Sequence, residues 1–101
     1  MIKLADVNQI PEGGSIEVLA PDGREIALFK VEGQIYALDN RCPHMGGPLG
    51  EGELTGCMVT CPWHGWQFDV RTGVCENMPG DDASPIAIEV RDGQVFLNVS
   101  Q

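Results

Sequence analysis

The stretch CPWHGW, residues 61–66, places a thiol and an imidazole three positions apart in a segment rich in turn-forming residues. Upstream, CPHMGG at residues 42–47 repeats the pairing with one residue between the two side chains. The whole pattern is C-x-H, sixteen residues, then C-x-x-H, and it uses both histidines and two of the four cysteines in the chain. Because both histidines of the chain lie within three positions of a cysteine, the pattern indicates metal binding. The four candidate ligands are Cys42, His44, Cys61 and His64.

Around these pairs, short apolar runs alternate with glycine and proline, a pattern that predicts an all-β fold. Residues 6–11 predict a single helical turn, and Glu32-Gly33 and Asp92-Gly93 predict tight hairpins. Residues 40–52 and 77–85 predict loops, and the second Cys-His pair follows a strand directly. We therefore expect two glycine-rich loops, each with one Cys-His pair, on a β meander. The predicted strands are 15–20, 24–31, 34–39, 53–61, 66–70, 73–77, 86–90 and 94–99.

The length of 101 residues predicts one domain, residues 1–101. No apolar run is long enough to span a membrane, and no export signal is evident, so we expect a cytoplasmic protein without a membrane partner. The net charge of −9 argues against nucleic acid as a partner. It suits docking to a protein with a basic patch, although acidity that serves only solubility is an equal alternative.

Zinc is one candidate for the four ligands, because two cysteines and two histidines are a common tetrahedral set. Zinc sites, however, usually take two cysteines from one short segment and two histidines from another. Here each segment supplies one of each. That arrangement suits a cluster of two irons, with the cysteines on one iron and the histidines on the other.

The pattern resembles that of the Rieske [2Fe-2S] proteins, whose motif is C-x-H followed by C-x-x-H. The resemblance extends over residues 34–73, "QIYALDNRCPHMGGPL…VTCPWHGWQFDVRTG". It implies the Rieske fold, in which small antiparallel sheets hold the cluster between two loops at one end. It also implies one [2Fe-2S] cluster per chain, bound by the four ligands named above.

The ligand set has a consequence for the reduction potential. Two neutral imidazoles in place of two thiolates leave the oxidised site without net charge, so adding an electron costs less than at an all-cysteine cluster. The electron is expected on the histidine-bound iron, which makes His44 and His64 the expected exit toward a partner.

High-potential members of the family carry an extra cysteine in each ligand loop, and these cysteines form a disulfide. The matching positions here are Gly47 and Trp63, so that disulfide is impossible. Those members also place serine and tyrosine hydroxyls near the cluster, where this chain has Trp66 and Phe68. The resemblance therefore implies a low-potential soluble ferredoxin, near about −150 mV.

The other two cysteines, Cys57 and Cys75, have apolar neighbours and are predicted to be buried thiols rather than ligands or a disulfide. Trp66 is predicted to pack and Trp63 to be partly exposed. Pro79 is either a cover for the cluster, as in the family, or an ordinary loop proline.

The resemblance implies a one-electron carrier and not an enzyme in its own right. It points to transfer from a flavin-containing, NAD(P)H-oxidising reductase to a terminal oxygenase, as in ring-hydroxylating dioxygenase systems, by a protein that is monomeric alone. The small subunit of an NAD(P)H nitrite reductase is an alternative within the family. A zinc-stabilised interaction module is the alternative from another class.

Overall fold

The structure is a computed structural model that describes residues 2–40, 48–62, 65–76 and 83–98. It is all-β, with nine strands in three antiparallel sheets of three strands each within those residues. Two single-turn 3-10 helices, Val7–Gln9 and Leu49–Glu51, complete the regular elements. No helix in the described part of the chain is long and apolar enough to cross a membrane.

The central sheet contains β2 (Ser15–Leu19), β3 (Glu25–Val31) and β4 (Gln34–Asp39), in that spatial order. β3 pairs with both neighbours, from Ser15 opposite Phe29 to Val31 opposite Gln34. The β3–β4 hairpin turns at the predicted residues 32 and 33, both of which have positive φ. Prediction was accurate here because alternation and turn residues are local signals.

The second sheet contains β5 (Glu53–Thr55), β6 (Met58–Thr60) and β7 (Gln67–Asp69). The prediction of one strand over residues 53–61 was wrong. The chain reverses at Gly56, which has φ of 61°, and Thr55 pairs with Met58. The predicted hairpin around Arg71-Thr72 is present in a shorter form, with a single bridge between Phe68 and Cys75.

The third sheet joins the two ends of the described chain. β9 (Gln94–Leu97) lies between β1 (Ile2–Asp6) and β8 (Ile88–Arg91). The β8–β9 hairpin at Asp92-Gly93 was predicted, but β1 was not. The expected simple meander is therefore wrong, because β1 pairs with a strand from the opposite end of the sequence.

Two apolar cores lie on opposite faces of the central sheet, since successive side chains of a strand point to opposite faces. Along β3, Ile26 and Leu28 belong to one core and Ala27 and Phe29 to the other. The terminal core comprises Ala5, Ile10, Ala20, Ile26, Leu28, Ala37, Val95 and Leu97. The cysteine core comprises Ala27, Phe29, Leu38, Leu49, Val59, Cys61, Phe68, Val70, Cys75 and Ala83.

Candidate metal centre

The second Cys-His segment begins where β6 ends. The backbone N–H of Cys61 donates to the carbonyl of Trp66 at 2.7 Å, which extends the β6–β7 ladder by one step. The N–H of Gly65 donates to the carbonyl of Cys61 at 3.0 Å, and Gly65 has φ of 71°. A left-handed φ favours glycine, so the sequence has the residue that this tight reversal needs. These two bonds hold the described ends of the segment, Cys61 and residues 65–66, close together.

Cys61 itself is 1% exposed and packs within the cysteine core. Within the described part of the chain, Cys57, Cys61 and Cys75 are all outside disulfide bonds. A buried thiol next to a tight turn has two physical readings. It is either a small hydrophobic residue or a metal ligand shielded from water.

The first Cys-His segment is closed at its base. The N–H of Leu49 donates to the carbonyl of Asn40 at 2.7 Å, and the N–H of Asn40 donates to the carbonyl of Glu25 at 2.9 Å. Cys42 and His44 follow Asn40 in the chain and precede Leu49, and they lie outside the described residues. The central sheet therefore fixes where this segment leaves and returns.

A third segment, residues 77–82, contains Pro79 and is anchored in the same way. The N–H of Glu76 donates to the carbonyl of Gln67 at 2.8 Å before the segment. The N–H of Ala83 donates to the carbonyl of Gly73 at 2.8 Å after it. Pro79 falls outside the described residues, so its predicted role stays a prediction.

The flanks of all three segments meet in one place. The cysteine core contains a residue on each side of the first and third segments and the residue that starts the turn of the second. These flanking residues are Leu38, Leu49, Cys61, Cys75 and Ala83. The structure thus brings together the bases of the segments that carry the predicted ligands.

Of the four predicted ligands, the structure describes Cys61 alone, and Cys42, His44 and His64 fall in the undescribed positions. Trp63 is also undescribed. Trp66 is partly buried and packs against the cysteine core, as predicted. Cys75 is 1% exposed, which confirms the prediction of a buried thiol there. Cys57 packs against the cysteine core but is only partly buried, so that prediction is confirmed in part. Among the described residues, no three His, Cys, Asp or Glu side chains form a metal-binding group.

Residues 1–95 match the family model of the Rieske [2Fe-2S] domain. The chain belongs to this family. Two curated relatives are ferredoxin components of dioxygenase systems. That of the naphthalene 1,2-dioxygenase/salicylate 5-hydroxylase systems of Ralstonia sp. is 42% identical over 91 residues, which are 87% of this chain and 86% of the relative. That of the p-cumate 2,3-dioxygenase system of Pseudomonas putida is 34% identical and covers 98% of this chain and 86% of its own.

Solved structures share the Rieske fold over almost the whole chain. A ferredoxin from Sphingomonas yanoikuyae B1 superposes with a TM-score of 0.90, at 26% identity over 98% of both chains. A chain from the complex of reduced oxygenase and oxidised ferredoxin of carbazole 1,9a-dioxygenase gives a TM-score of 0.86, at 29% identity over 95% of this chain and 90% of that one. A chain described as an NADH-dependent nitrite reductase small subunit from Mycobacterium tuberculosis superposes with a TM-score of 0.87, over 98% of this chain and 95% of that one. Its sequence identity is 22%, so this match shows the fold alone.

The residues present fit the cluster that the family name implies. A Rieske centre needs two thiolates and two imidazoles, and the motif supplies that number of each. The described thiol of Cys61 is buried, outside any disulfide, and at the base shared by the three segments. A thiol in that place is suited to bind a metal away from solvent.

One ion pair stabilises the turn between β7 and Cys75. The carboxylate of Asp69 accepts from the N–H of Arg71 at 2.9 Å and from its guanidinium at 2.8 Å and 3.1 Å. Its side chain is 15% exposed. Hydrogen bonding from the Arg71 side chain holds the pKa of Asp69 below its usual value and raises the pKa of Arg71. The pair therefore orders the backbone that leads into the third segment.

Sequence reasoning missed two residues that organise the site. Asn40 precedes the first Cys-His pair, and its role depends on contacts with residues distant in sequence. Gly73 has φ of 83°, and a side chain there would overlap the carbonyl oxygen of Ala83. The T-G pair at 72–73 was a visible turn signal, but the close approach of Ala83 has no sequence signature.

Proposed function

We propose that this protein is a soluble one-electron carrier of a ring-hydroxylating oxygenase system. It accepts an electron from a flavin-containing, NAD(P)H-oxidising reductase and delivers it to a terminal oxygenase. The observation that carries the proposal is the 42% identity, over 87% of the chain, to a ferredoxin component of such systems. The fold match to the ferredoxin of a carbazole 1,9a-dioxygenase complex supports the same class of partner. By itself the protein is not an enzyme.

The proposed ligands are Cys42 and Cys61 for one iron and His44 and His64 for the other, with one [2Fe-2S] cluster per chain. When bound, such a cluster supplies reversible one-electron transfer. Burial of Cys61 excludes water from at least one ligand, and the hydrogen bonds of its backbone fix the start of the second ligand turn.

One substitution tests the ligand set directly. His64→Cys replaces a neutral imidazole with a thiolate and adds a negative charge, so the midpoint potential should fall. The measurement is a redox titration of the variant beside the wild-type protein. An unchanged or raised midpoint in a variant that still holds its cluster contradicts the assignment of His64.

The charge distribution supports a protein partner with a basic surface. Four basic side chains lie beside carboxylates in Lys3–Asp6, Arg24–Asp22, Arg71–Asp69 and Arg91–Glu89. Because these four cations are neutralised by neighbouring carboxylates, the net charge of −9 comes from the other acidic side chains, which gives the protein an acidic surface. We further propose that residues 1–101 form one domain that is monomeric alone and resides in the cytoplasm.

The decisive experiment is reconstitution with purified partners. Stopped-flow absorbance should show reduction of the protein by a dioxygenase-system reductase with NAD(P)H, followed by reoxidation on mixing with the oxygenase. Both second-order rates should fall as salt is added, because opposite charges steer the encounter. Reoxidation by a nitrite reductase large subunit and not by any oxygenase would favour the alternative pathway. Zinc in place of iron would leave only the interaction-module hypothesis.

A further inference from the structure

Asn40 has a buried polar side chain that links strand β2 to the residues just after the first ligand segment. It is 3% exposed. Its Nδ2 donates to Oε2 of Glu17 at 2.6 Å, and its Oδ1 accepts from the N–H of Gly50 at 2.6 Å. Because a backbone N–H can only donate, Oδ1 must face Gly50 and the amide nitrogen must face Glu17.

The backbone of the same residue makes two further bonds. Its N–H donates to the carbonyl of Glu25, and its carbonyl accepts from the N–H of Leu49. Ser15 Oγ donates to the carbonyl of Gly50 at 2.7 Å from the same strand as Glu17. We call this set of residues the Asn40 network; it consists of Ser15, Glu17, Glu25, Asn40, Leu49 and Gly50.

The Asn40 network spans the gap between the residue before the first ligand segment and the residues after it. Strand β2 provides the fixed platform through Ser15 and Glu17, which are two positions apart and so lie on one face of the strand. The packing is close: a methyl group at position 50 would overlap Cγ of Glu17 and lie 3.0 Å from Oδ1 of Asn40. Asn40 therefore connects the two ends of the segment directly, through its bonds to Leu49 and Gly50.

We propose that Asn40 is the positioning residue for Cys42 and His44: through Glu17 and Gly50 it holds both ends of their segment at the spacing that the cluster needs. This inference rests on the proposed ligand set. It adds that the charge-assisted bond from Asn40 to Glu17 controls how firmly the first Cys-His pair retains the cluster.

The test uses the opposite donor and acceptor requirements of the two partners. Asn40→Asp keeps an acceptor for the N–H of Gly50 but sets a carboxylate against the carboxylate of Glu17. Glu17→Gln in the same chain supplies a donor for the new carboxylate and restores the net charge of the pair. The double variant therefore rebuilds the connection with the donor reversed, and rescue is expected.

The readouts are the rate of cluster loss to an iron chelator, followed by visible absorption, and the EPR spectrum of the dithionite-reduced holoprotein. We expect Asn40→Asp to lose its cluster about tenfold faster and to show shifted g-values. Glu17→Gln alone should accelerate loss by about threefold, since a neutral hydrogen bond replaces a charge-assisted one. The double variant should return to within about twofold of wild type and regain its spectrum.

The matched control is Glu12→Gln. The carboxylate of Glu12 accepts from the N–H groups of Glu32 and Gly33 at 2.7 Å and 2.9 Å, so it also orders a turn through backbone donors. That turn lies at the other end of β4, roughly 20 Å along the strand from Asn40. The control should lower the thermal midpoint without changing the rate of cluster loss or the EPR spectrum.

The proposal is overturned if Asn40→Asp loses its cluster no faster than Glu12→Gln, or if the double variant is as impaired as Asn40→Asp. If Asn40→Asp yields no holoprotein, the double variant decides, since it must accumulate cluster at the wild-type level. Wild-type protein that contains no iron and no acid-labile sulfide refutes the proposed function itself. Normal wild-type holoprotein with unresponsive variants refutes only the role of Asn40.

Discussion

The two cores of this protein lie on opposite faces of one sheet, but they have different roles. The terminal core packs β1, β8 and β9 against the central sheet, and none of its described residues is a cysteine. The cysteine core packs the β5–β7 sheet against the other face and holds the flanks of the three segments around the proposed cluster. One face of the central sheet thus stabilises the fold, while the other also fixes the described residues at which the proposed ligand segments start and end.

The largest expected effect separates two cysteines of the same core. Cys61 and Cys75 are each 1% exposed, so their replacement by alanine removes a sulfur from equally buried places. Cys61→Ala should abolish the cluster, because a proposed ligand is lost. Cys75→Ala should retain it. The visible absorption and iron content of the purified variants check this, and retention of a normal cluster by Cys61→Ala would remove that residue from the ligand set.

Next comes a pair of leucines on adjacent strands. Leu38 belongs to the cysteine core and Leu28 to the terminal core; both are 0% exposed, and each lies opposite an alanine, at 27 and 37. Either change to alanine should cost about 3 kcal/mol of unfolding free energy, measured by thermal unfolding. Leu38→Ala should in addition release iron to a chelator several-fold faster than Leu28→Ala. Equal release rates at equal loss of stability would erase the distinction between the cores.

Two glycines with similar backbone angles separate the effect of the third segment's anchor from that of backbone strain. Gly73 and Gly23 have φ of 83° and 94°, but only at Gly73 would a Cβ overlap a neighbour, the carbonyl oxygen of Ala83. Gly23→Ala should cost about 1–2 kcal/mol through backbone strain alone. Gly73→Ala should cost about 3 kcal/mol, because the N–H of Ala83 also loses its bond to the carbonyl of residue 73. Similar thermal midpoints for the two variants would show that this anchor contributes nothing.

The smallest effect concerns Asp69, whose pKa is lowered by the Arg71 side chain. A carboxylate with a lowered pKa stabilises the fold at neutral pH, and that contribution is lost as pH falls through its folded-state pKa, below the usual 3.8. Asp69→Asn should therefore reduce stability by about 1 kcal/mol at pH 7 and by progressively less below about pH 4.

The control for Asp69 is Asp22→Asn. Asp22 accepts from the N–H and the guanidinium of Arg24 in the same way, but its side chain is 46% exposed. Water screens that pair, so its removal should have a smaller effect on the thermal midpoint. A difference for Asp69→Asn that grows as the pH falls would contradict the assigned direction.

Sequence reasoning succeeded where the determining interactions are local. The hairpins at Glu32-Gly33 and Asp92-Gly93 follow from adjacent turn residues, and the Cys-His spacing identified the family. It failed for β1, because its partner β9 lies at the other end of the chain. It also failed at Gly56, where an apolar run continues through a reversal.

The positions of the site residues were harder to predict from the sequence than the chemistry of the site. The residue types that bind the cluster follow from the motif, since thiolates and imidazoles are its characteristic ligands. The role of Asn40 depends on Glu17, a residue 23 positions away, and on the amide of Gly50. No sequence periodicity predicts hydrogen bonds between residues this far apart in the chain, so only the folded structure shows them.

The central claim is that the chain carries a sulfide-bridged pair of irons, and elemental analysis tests it most directly. Protein purified without exposure to air should contain about two iron atoms and about two acid-labile sulfides per chain, and its colour should bleach with dithionite. Stoichiometric zinc, or the absence of acid-labile sulfide, would contradict the account.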